Sequence, residues 1–465
     1  MTDVIVVGGG HNGLVAAATL AKAGKRVQLL EARQEVGGIC HLLMDGTTMS
    51  PEVVKSLGLT MSAPLVQAAK NHEGRICRLD GMSQDGGYAP WRAWVDKVKP
   101  ALAAQLDAPS PDIGNAAPIW PLAKAGLAVR KLGKKDMMEL LRVAPSCIDD
   151  WLSEHMTDPL LRAALMMPAL QGTWMGPRSP TSAAAFLLQE ACRQGTHVAP
   201  WVLAKELESA ATHAGVEVTK GAKVRRIRIE GGKVAGIELE DGTPIDGATI
   251  LSTVGPKATF LRLLDPRNVP GKTAHQMEVV RVRGTLARIE IDAKETDADW
   301  PGQHFFVCNE PLHLERAFDD VKHRRLPTID PPLEVAVGLW GDHVSVNVWS
   351  APYELRGGWT DDARDALVQS ALASLDKAVP GAGGSKVLDV KTPADLETEF
   401  GLDGGHPNHG EIALDQLGPM RPSMQLSRYA TALPGLWLGC AGVHPGGSLS
   451  GRPGLFAARA LLRGS

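Results

Sequence analysis

The sequence predicts an α/β fold of the Rossmann-like kind, and three observations indicate it. The chain opens with an apolar strand at residues 3–7, which runs into a glycine turn and then a helix. A second short apolar strand, at residues 27–31, follows that helix and ends in an acid. A later apolar strand at 248–254 enters another glycine turn, and a third glycine-rich stretch, 435–451, precedes a terminal helix. Strands that alternate with helices in this way are typical of a parallel sheet covered by helices.

The first turn carries Gly8, Gly10 and Gly13, the spacing of a dinucleotide-binding turn. The first glycine permits a tight turn, the second lets a pyrophosphate approach the backbone, and the third lets helix and strand pack closely. Unpaired N–H groups at the start of the helix then face the phosphates. We therefore expect an adenine dinucleotide at this turn.

Glu31 ends the second strand about 20 residues past the turn, where a carboxylate binds the adenosine ribose of a dinucleotide. The alternative is a solvated strand end. Arg33 nearby would suit the 2′-phosphate of NADP, but Glu31 would repel that phosphate. We therefore expect a ribose without a 2′-phosphate.

The composition limits the class of protein. A chain of 465 residues predicts two domains, and a net charge of −3 gives no reason to expect nucleic acid as a partner. The six cysteines show no CxxC pair and no metal-ligand spacing, so we expect reduced thiols and no metal. Residue 4 already begins a core strand, and no apolar run reaches the about 18 residues of a membrane helix. These features favour a cytoplasmic protein.

The order of motifs predicts a domain that is discontinuous in sequence. Residues 1–60, 196–265 and 421–465 carry the strand and glycine signals of the nucleotide-binding domain, including hairpin signals between 222 and 244. Two insertions, 61–195 and 266–420, are rich in Trp, Met and Pro. We expect the insertions to form a second domain that covers a substrate.

Several of these motifs carry a family resemblance. The run from Gly8 to Leu14, then Leu30–Arg33 with Gly37 and Gly38, resembles the extended FAD-binding fingerprint of the phytoene desaturase and flavin amine oxidase superfamily. Two later segments, 409–422 and 439–454, resemble its bacterial phytoene desaturase-like branch. The resemblance implies a Rossmann-like FAD-binding domain of the glutathione reductase type, with an α+β substrate-binding domain.

The same resemblance implies a role for each stretch in binding FAD. The glycine turn would lie against the pyrophosphate, and the end of the second strand would contact the ribose. The stretch around Val224 would contact adenine, and the last glycine stretch, 435–451, would lie along the ribityl chain and isoalloxazine. The residues implied are Gly8, Gly10, His11, Asn12, Gly13, Glu31, Ala32, Arg33, Gly37, Gly38, Val224, Gly439, Gly446, Gly447 and Leu449.

Three residues are candidates for catalysis. Desaturation needs an acceptor for a proton, and histidine titrates near neutrality, so His444 beside the last glycine loop and His409 in the preceding segment are considered. The alternatives are a His444 bonded to phosphate or backbone and a structural interdomain His409. Trp174 could form the wall of an apolar substrate tunnel or be an ordinary core aromatic. Glu411 and Asp415 are a weaker carboxylate pair.

These observations predict an FAD-dependent oxidoreductase that dehydrogenates a mostly apolar small molecule by hydride transfer to flavin N5, with oxygen or a quinone as electron acceptor. The alternatives are an amine oxidase, a double-bond isomerase that uses reduced flavin, and an escort protein like the Rab GDP-dissociation inhibitors. The shortened segment after Gly38 puts a C40 carotene in doubt. Apolar and basic residues at 119–122 and 129–142 predict a peripheral membrane contact, with a solvated helix as the alternative.

Overall fold

The computed structural model describes residues 2–44, 48–62, 67–79, 85–110, 126–192, 196–292, 298–447 and 449–464. The chain forms a mixed α/β structure with two larger sheets and helices packed on both. Strands and helices are numbered below in chain order. The segment 119–122, part of the predicted membrane contact, lies outside the described residues.

The first sheet has five parallel strands. Their bounds are Val4–Val7 (β1), Val27–Leu30 (β2), Glu217–Thr219 (β7), Ile250–Ser252 (β11) and Leu436–Leu438 (β17). They lie in the order β17-β11-β1-β2-β7. Strand β1 is central and all four of its residues are buried, which explains its continuous apolar run, because a parallel sheet is covered on both faces. The predicted parallel sheet is confirmed.

Three helices cover this sheet: α1 (His11–Lys22), α8 (Pro200–His213) and the C-terminal α13 (Arg452–Gly464). Helices α1 and α13 approach closely, since a Cβ on Gly454 would stand 2.1 Å from the Asn12 carbonyl oxygen. The contact brings the two ends of the chain together, and both helices begin beside the glycine turns.

A small antiparallel sheet lies between β7 and β11 in the chain. It contains β8 (Val224–Glu230), β9 (Lys233–Leu239) and β10 (Pro244–Asp246) in the order β10-β9-β8. The hairpin signals between 222 and 244 correspond to these strands. A separate two-stranded ribbon pairs β3 (Thr48–Met49) with β6 (Thr196–His197).

The second large sheet has seven strands. Their bounds are Gln67–Lys70 (β4), Ile76–Arg78 (β5), Ala287–Asp292 (β12), His304–Val307 (β13), Leu333–Val337 (β14), Val344–Val348 (β15) and Lys386–Lys391 (β16). They lie in the order β16-β12-β15-β14-β13-β4-β5, and all neighbours are antiparallel except β13 and β4. Successive side chains alternate between two separate cores: Phe305 packs in one core and Phe306 in the other.

Helices from the two insertions cover this second sheet. They are α3 (Tyr88–Leu106), α4 (Lys134–Val143), α5 (Ile148–Ser153), α6 (Pro159–Leu170), α7 (Ser182–Cys192), α10 (Pro311–Lys322) and α11 (Asp361–Ala378). Trp91, Trp94 and Trp151 pack among them, with the rings of Trp91 and Trp151 5.6 Å apart. Three other helices bury apolar residues in the core of the first sheet: α2 (Pro51–Leu57), α9 (Gly271–Val279) and α12 (Pro393–Phe400). Among the described helices, none is long and apolar enough to cross a membrane.

Candidate functional site

The glycine turn after β1 has a different steric requirement at each glycine. Gly8 has a φ of +103°, which favours glycine. A Cβ on Gly13 would stand 2.0 Å from the Gly8 carbonyl oxygen, so α1 packs directly on the turn. A Cβ on Gly10 would meet nothing within 4 Å. The second glycine therefore faces open space, as the approach of a pyrophosphate requires.

Gly37 and Gly38 pack against this turn. The Gly37 N–H donates to the Gly9 carbonyl over 2.8 Å, and Gly37 has a φ of +113°. A Cβ on Gly37 would stand 2.5 Å from Cβ of Ala204 in α8, and one on Gly38 would stand 3.4 Å from Cα of Gly10. These two glycines hold the turn in place, and Gly38 also borders the open space beside the turn.

Glu31 lies at the carboxyl end of β2 and is only 9% exposed. Its two oxygens accept from the Gly9 N–H over 2.7 Å and from the Arg33 N–H over 2.9 Å. These bonds fix the carboxylate at the edge of the cleft and leave further lone pairs for a ribose hydroxyl. The geometry disfavours the alternative of a solvated strand end.

Arg33 lies in the same cleft. Its guanidinium stacks on the ring of Phe400, 4.0 Å from the centroid, and its buried Nη1 has no hydrogen-bond partner among the described residues. A buried guanidinium nitrogen without a partner is costly. An anionic ligand such as a pyrophosphate would supply the missing acceptor.

The cleft formed by these residues is large, with an empty volume of about 2070 Å³ that includes its solvent-open mouth. We call it the dinucleotide cleft. Most of the residues expected at the phosphates, ribose and adenine line it: Gly8, Gly10, His11, Asn12, Gly13, Glu31, Ala32, Arg33, Gly38 and Val224. Its residues fit an adenine dinucleotide, because the open Gly10 and the unpaired Arg33 nitrogen both face the same space.

The last glycine stretch, residues 435–451, forms another part of the site. The Gly439 N–H donates to the Ser252 carbonyl over 2.8 Å, which ends β17 beside β11. A Cβ on Gly447 would meet nothing within 4 Å, whereas one on Gly446 would stand 2.4 Å from Nε of Arg421. Leu449 is fully buried. Gly447 therefore faces open space, Gly446 packs against Arg421, and Gly439 and Leu449 are packed within the protein.

Arg421 connects the segments around this glycine stretch through backbone carbonyls. No carboxylate binds it among the described residues. It is 2% exposed, and its five N–H groups donate over 2.7–3.1 Å to the carbonyls of Asn408, Gly410, Glu411, Gln416 and Ala441. Burial lowers the pKa of the guanidinium to about 10. The side chain joins the 408–416 segment to the loop that follows β17.

Gly446 and Gly447 line an apolar cavity with an empty volume of about 880 Å³, which includes space open to solvent. We call it the front cavity. Its apolar lining comes from the segment after Gly38, both insertions and the glycine loop: Leu43, Met44, Leu106, Leu188, Trp349, Ile412, Leu417 and Pro445. Pro407 lines both the front cavity and the dinucleotide cleft. The two spaces are therefore neighbours, with this residue between them.

His409 lies at this junction and lines the dinucleotide cleft. Its φ is +51°, and its Nδ1 is buried without a partner among the described residues. Burial lowers its pKa to about 3, and the neighbouring His406 adds to this effect. Burial lowers the pKa of His406 to about 4. Both imidazoles are neutral at physiological pH, and His409 is a weak proton acceptor.

His444 and Trp174 do not line the cleft or the front cavity. The His444 ring bonds the Ala108 carbonyl through Nε2 over 2.8 Å, and burial lowers its pKa. The Trp174 ring is covered by the Arg283 guanidinium, 4.3 Å from its centroid. The geometry favours the alternatives, a backbone-bonded histidine and a structural tryptophan. The carboxylate pair is likewise engaged, since Glu411 binds Arg283 and Asp415 binds Arg281.

Helix α12 is the part of the site that sequence reasoning missed. Residues 397–402 line the dinucleotide cleft, although the expected domain division assigns them to substrate binding. Asp403, directly after them, accepts from Arg262 over 2.5 Å and from the Ala258 N–H over 3.1 Å. A capping box of Thr392 and Asp395 signals the start of the helix, but no local pattern signals where it packs.

Comparisons with known proteins agree with this geometry. Residues 6–54 match the family model described as an NAD(P)-binding Rossmann-like domain. The chain is 26% identical to pyridine nucleotide-disulfide oxidoreductase domain-containing protein 2 of Rattus norvegicus, with 99% of this chain and 93% of that protein covered. It is 24% identical to a limonene dehydrogenase polypeptide of Castellaniella defragrans, with 99% and 94% covered. It is 25% identical to a zeta-carotene-forming phytoene desaturase of Myxococcus xanthus, with 91% and 87% covered.

Two solved structures share the fold over nearly the whole chain. One is a fatty acid isomerase from P. acnes, with a TM-score of 0.58, 14% identity, and 99% of this chain and 98% of that chain covered. The other is a redesigned putrescine oxidase, with a TM-score of 0.57, 16% identity, and 100% and 99% covered. The matched Rossmann-like segment, the relatives that align end to end and the shared fold lead to one conclusion: the chain is an oxidoreductase with a dinucleotide-binding Rossmann-like domain.

Proposed function

We propose that this enzyme binds FAD and dehydrogenates a mostly apolar small molecule. The substrate loses a hydride from one carbon and a proton from the adjacent carbon, so that a double bond forms and the cofactor gains two electrons. Oxygen or a quinone then removes those electrons. When bound, FAD supplies the acceptor for the hydride.

The observation that carries this proposal is that the dinucleotide cleft and the front cavity are neighbours. Pro407 lines both, and Gly446 and Gly447 line the front cavity. A dinucleotide with its phosphates at Gly10 would point its other end toward this junction. An apolar lining there excludes water, which favours chemistry on C–H bonds over hydrolysis.

Two further features support FAD as the dinucleotide. Gly447 faces open space, as the approach of a flat ring requires. The dinucleotide cleft is also lined by three separated parts of the chain, at the first glycine turn, at Val224 and at His409. Among the relatives, the limonene dehydrogenase polypeptide and the phytoene desaturase are named for reactions on hydrocarbons, which supports an apolar substrate.

We assign the phosphate contacts to the N–H groups at the start of α1 and to Arg33, and the ribose contact to Glu31. His409 is the remaining candidate for accepting the proton. Its lowered pKa makes it a weak base, so the proposal does not depend on it. A cationic intermediate can lose its proton to a weak acceptor, and His409→Asn is then expected to lower turnover without abolishing it.

The test starts with the purified protein supplemented with FAD. We expect a flavin absorption spectrum, and anaerobic bleaching of that spectrum by an isoprenoid alkene but not by a primary amine. Bleaching by the amine alone would instead assign amine oxidation. Conversion of an alkene by the reduced protein without net redox change would assign an isomerase. A colourless protein after supplementation would overturn the enzyme proposal in favour of a lipid escort role.

A peripheral membrane contact stays a prediction. Within the described part of the segment, Met138 and Leu141 on α4 are 55% and 62% exposed, and Lys134 and Lys135 begin the same helix. This pairing of apolar and basic residues would suit a membrane surface that delivers an apolar substrate. Sedimentation with anionic vesicles, compared with the double variant Met138→Ser/Leu141→Ser, tests it. A cytoplasmic location likewise stays a prediction.

A further inference from the structure

A second apolar cavity lies behind the front cavity. It has an empty volume of about 520 Å³, which includes space open to solvent, and lies between α6 and α10. We call it the back cavity. Its apolar lining is supplied by Met167, Leu170, Met175, Leu314, Ala317, Phe318, Val321 and Pro332. Gln171 and Trp349 line both the front and the back cavity, so these two side chains separate them.

Trp349 is held in this position by a buried polar network. Its Nε1 donates to Glu334 over 2.8 Å. Glu334 is 1% exposed and also binds His304 over 3.0 Å and Asn347 over 3.2 Å. A buried carboxylate needs such partners, and here they fix the direction of the indole ring. The partition between the cavities therefore has a defined orientation.

The back cavity also contains two polar atoms that lack partners. The Ser350 hydroxyl is buried, with its residue 5% exposed, and has no hydrogen-bond partner among the described residues. The Gln171 Nε2 group at the partition is buried and likewise without a partner there. An unsatisfied buried donor is costly. Both groups are neutral, so a neutral oxygen atom would satisfy them.

We propose that the back cavity binds the distal end of an elongated apolar substrate that carries a neutral oxygen, and that Trp349 determines how much of the substrate chain enters. The reacting part of the molecule lies in the front cavity, so this inference rests on the proposed function. The Ser350 hydroxyl and the Gln171 amide donate to the oxygen. The rest of the chain contacts the apolar lining.

The test measures binding of n-alkan-1-ols, from hexanol to hexadecanol, to the FAD-supplemented protein by calorimetry. Each added methylene that enters an apolar site strengthens binding by about fourfold. We expect this gain to continue until both cavities are filled and then to stop. In Trp349→Ala the gain should continue to a longer alcohol, because the partition is removed. A dependence on chain length that is the same in both proteins would overturn the role of Trp349.

Ala317→Phe fills the back cavity from α10, and Val321→Phe does so one turn later if the first variant does not fold. We expect hexanol and the longer alcohols alike to bind at least about tenfold more weakly, because the hydroxyl end of each lies in this cavity. Arg316→Phe, on the exposed side of the same helix, is the matched control and should bind every alcohol like the parent. Ser350→Ala should weaken hexadecanol by about fivefold.

Equal binding of the alcohols by Ala317→Phe and the parent would overturn the inference. Flavin content is measured in each preparation. A protein without flavin that still shows the chain-length dependence would refute the proposed function and keep the back cavity as a binding site. A flavin-loaded protein without that dependence would refute only the back cavity.

Discussion

Gly10→Glu is the sharpest test of where the dinucleotide phosphates bind. Gly10 has φ −66° and ψ 171°, an ordinary extended conformation, so a side chain there introduces no backbone strain. A Cβ at this position meets nothing within 4 Å. The new carboxylate would therefore enter the dinucleotide cleft without disturbing the packing of the protein.

The magnitude follows from the distance at which the charges would meet. Two like charges about 4 Å apart repel by about 4 kcal/mol at an effective dielectric constant of about 20. A loss of that size weakens binding by about 1000-fold. Gly10→Gln has nearly the same volume without the charge, so the difference between the two variants isolates the electrostatic part.

The assay is titration of the cofactor-free protein with FAD, followed by the change in flavin fluorescence, with thermal unfolding of the cofactor-free protein measured in parallel. We expect the Glu variant to lose bound flavin on gel filtration while unfolding at the parent temperature. Retention of flavin within tenfold of the parent affinity would refute a pyrophosphate at Gly10. A large loss of stability without cofactor would refute the reasoning that Gly10 faces open space.

Three further predictions concern stability. Gly13→Ala should destabilise the fold by about 3 kcal/mol or more, because the new methyl overlaps the Gly8 carbonyl. Gly10→Ala is the matched control. Equal thermal unfolding of the two variants would contradict the predicted overlap at Gly13. His406 and His409 have folded-state pKa values of about 4 and about 3, below the unfolded value of 6.5. The unfolded chain therefore binds more protons below pH 6.5, and stability should fall as pH falls, by up to about 1.4 kcal/mol per pH unit for each histidine. Urea unfolding at pH 7 and pH 5 measures this change in stability. In His409→Asn, where Asn tolerates the positive φ, stability should depend less steeply on pH. An unchanged dependence on pH would contradict the lowered pKa of His409. Arg421→Met should lower the free energy of unfolding, measured with denaturant, by about 3 kcal/mol or more, because five buried carbonyls lose their donors. A decrease under about 1 kcal/mol would refute this role of Arg421.

Much of the dinucleotide cleft follows from local sequence. The spacing of Gly8, Gly10 and Gly13 specifies a strand, a turn and a helix through backbone geometry alone, and the structure has each of them. Glu31 follows from its place at the end of a parallel strand. These features involve residues near each other in the chain, so their spacing alone indicates them.

The catalytic candidates show where that reasoning stops. His444 stands beside the glycine loop in sequence, but its ring bonds Ala108 in the distant segment that follows α3. Trp174 is a candidate tunnel wall by sequence, but it packs under Arg283. The direction of a side chain depends on which neighbour offers a partner, and sequence proximity to a motif does not supply that information.

The sequence by itself determined the Rossmann-like fold, the glycine turn and the acid that faces it, because each depends on the conformation of a short continuous segment. Only the tertiary structure decided that α12 lines the dinucleotide cleft, that Arg421 joins two loops through carbonyls, and that Trp349 divides two apolar cavities. These arrangements join residues that are far apart in the chain. They arise from packing of insertions whose apolar patterns specify burial but not which neighbour they meet.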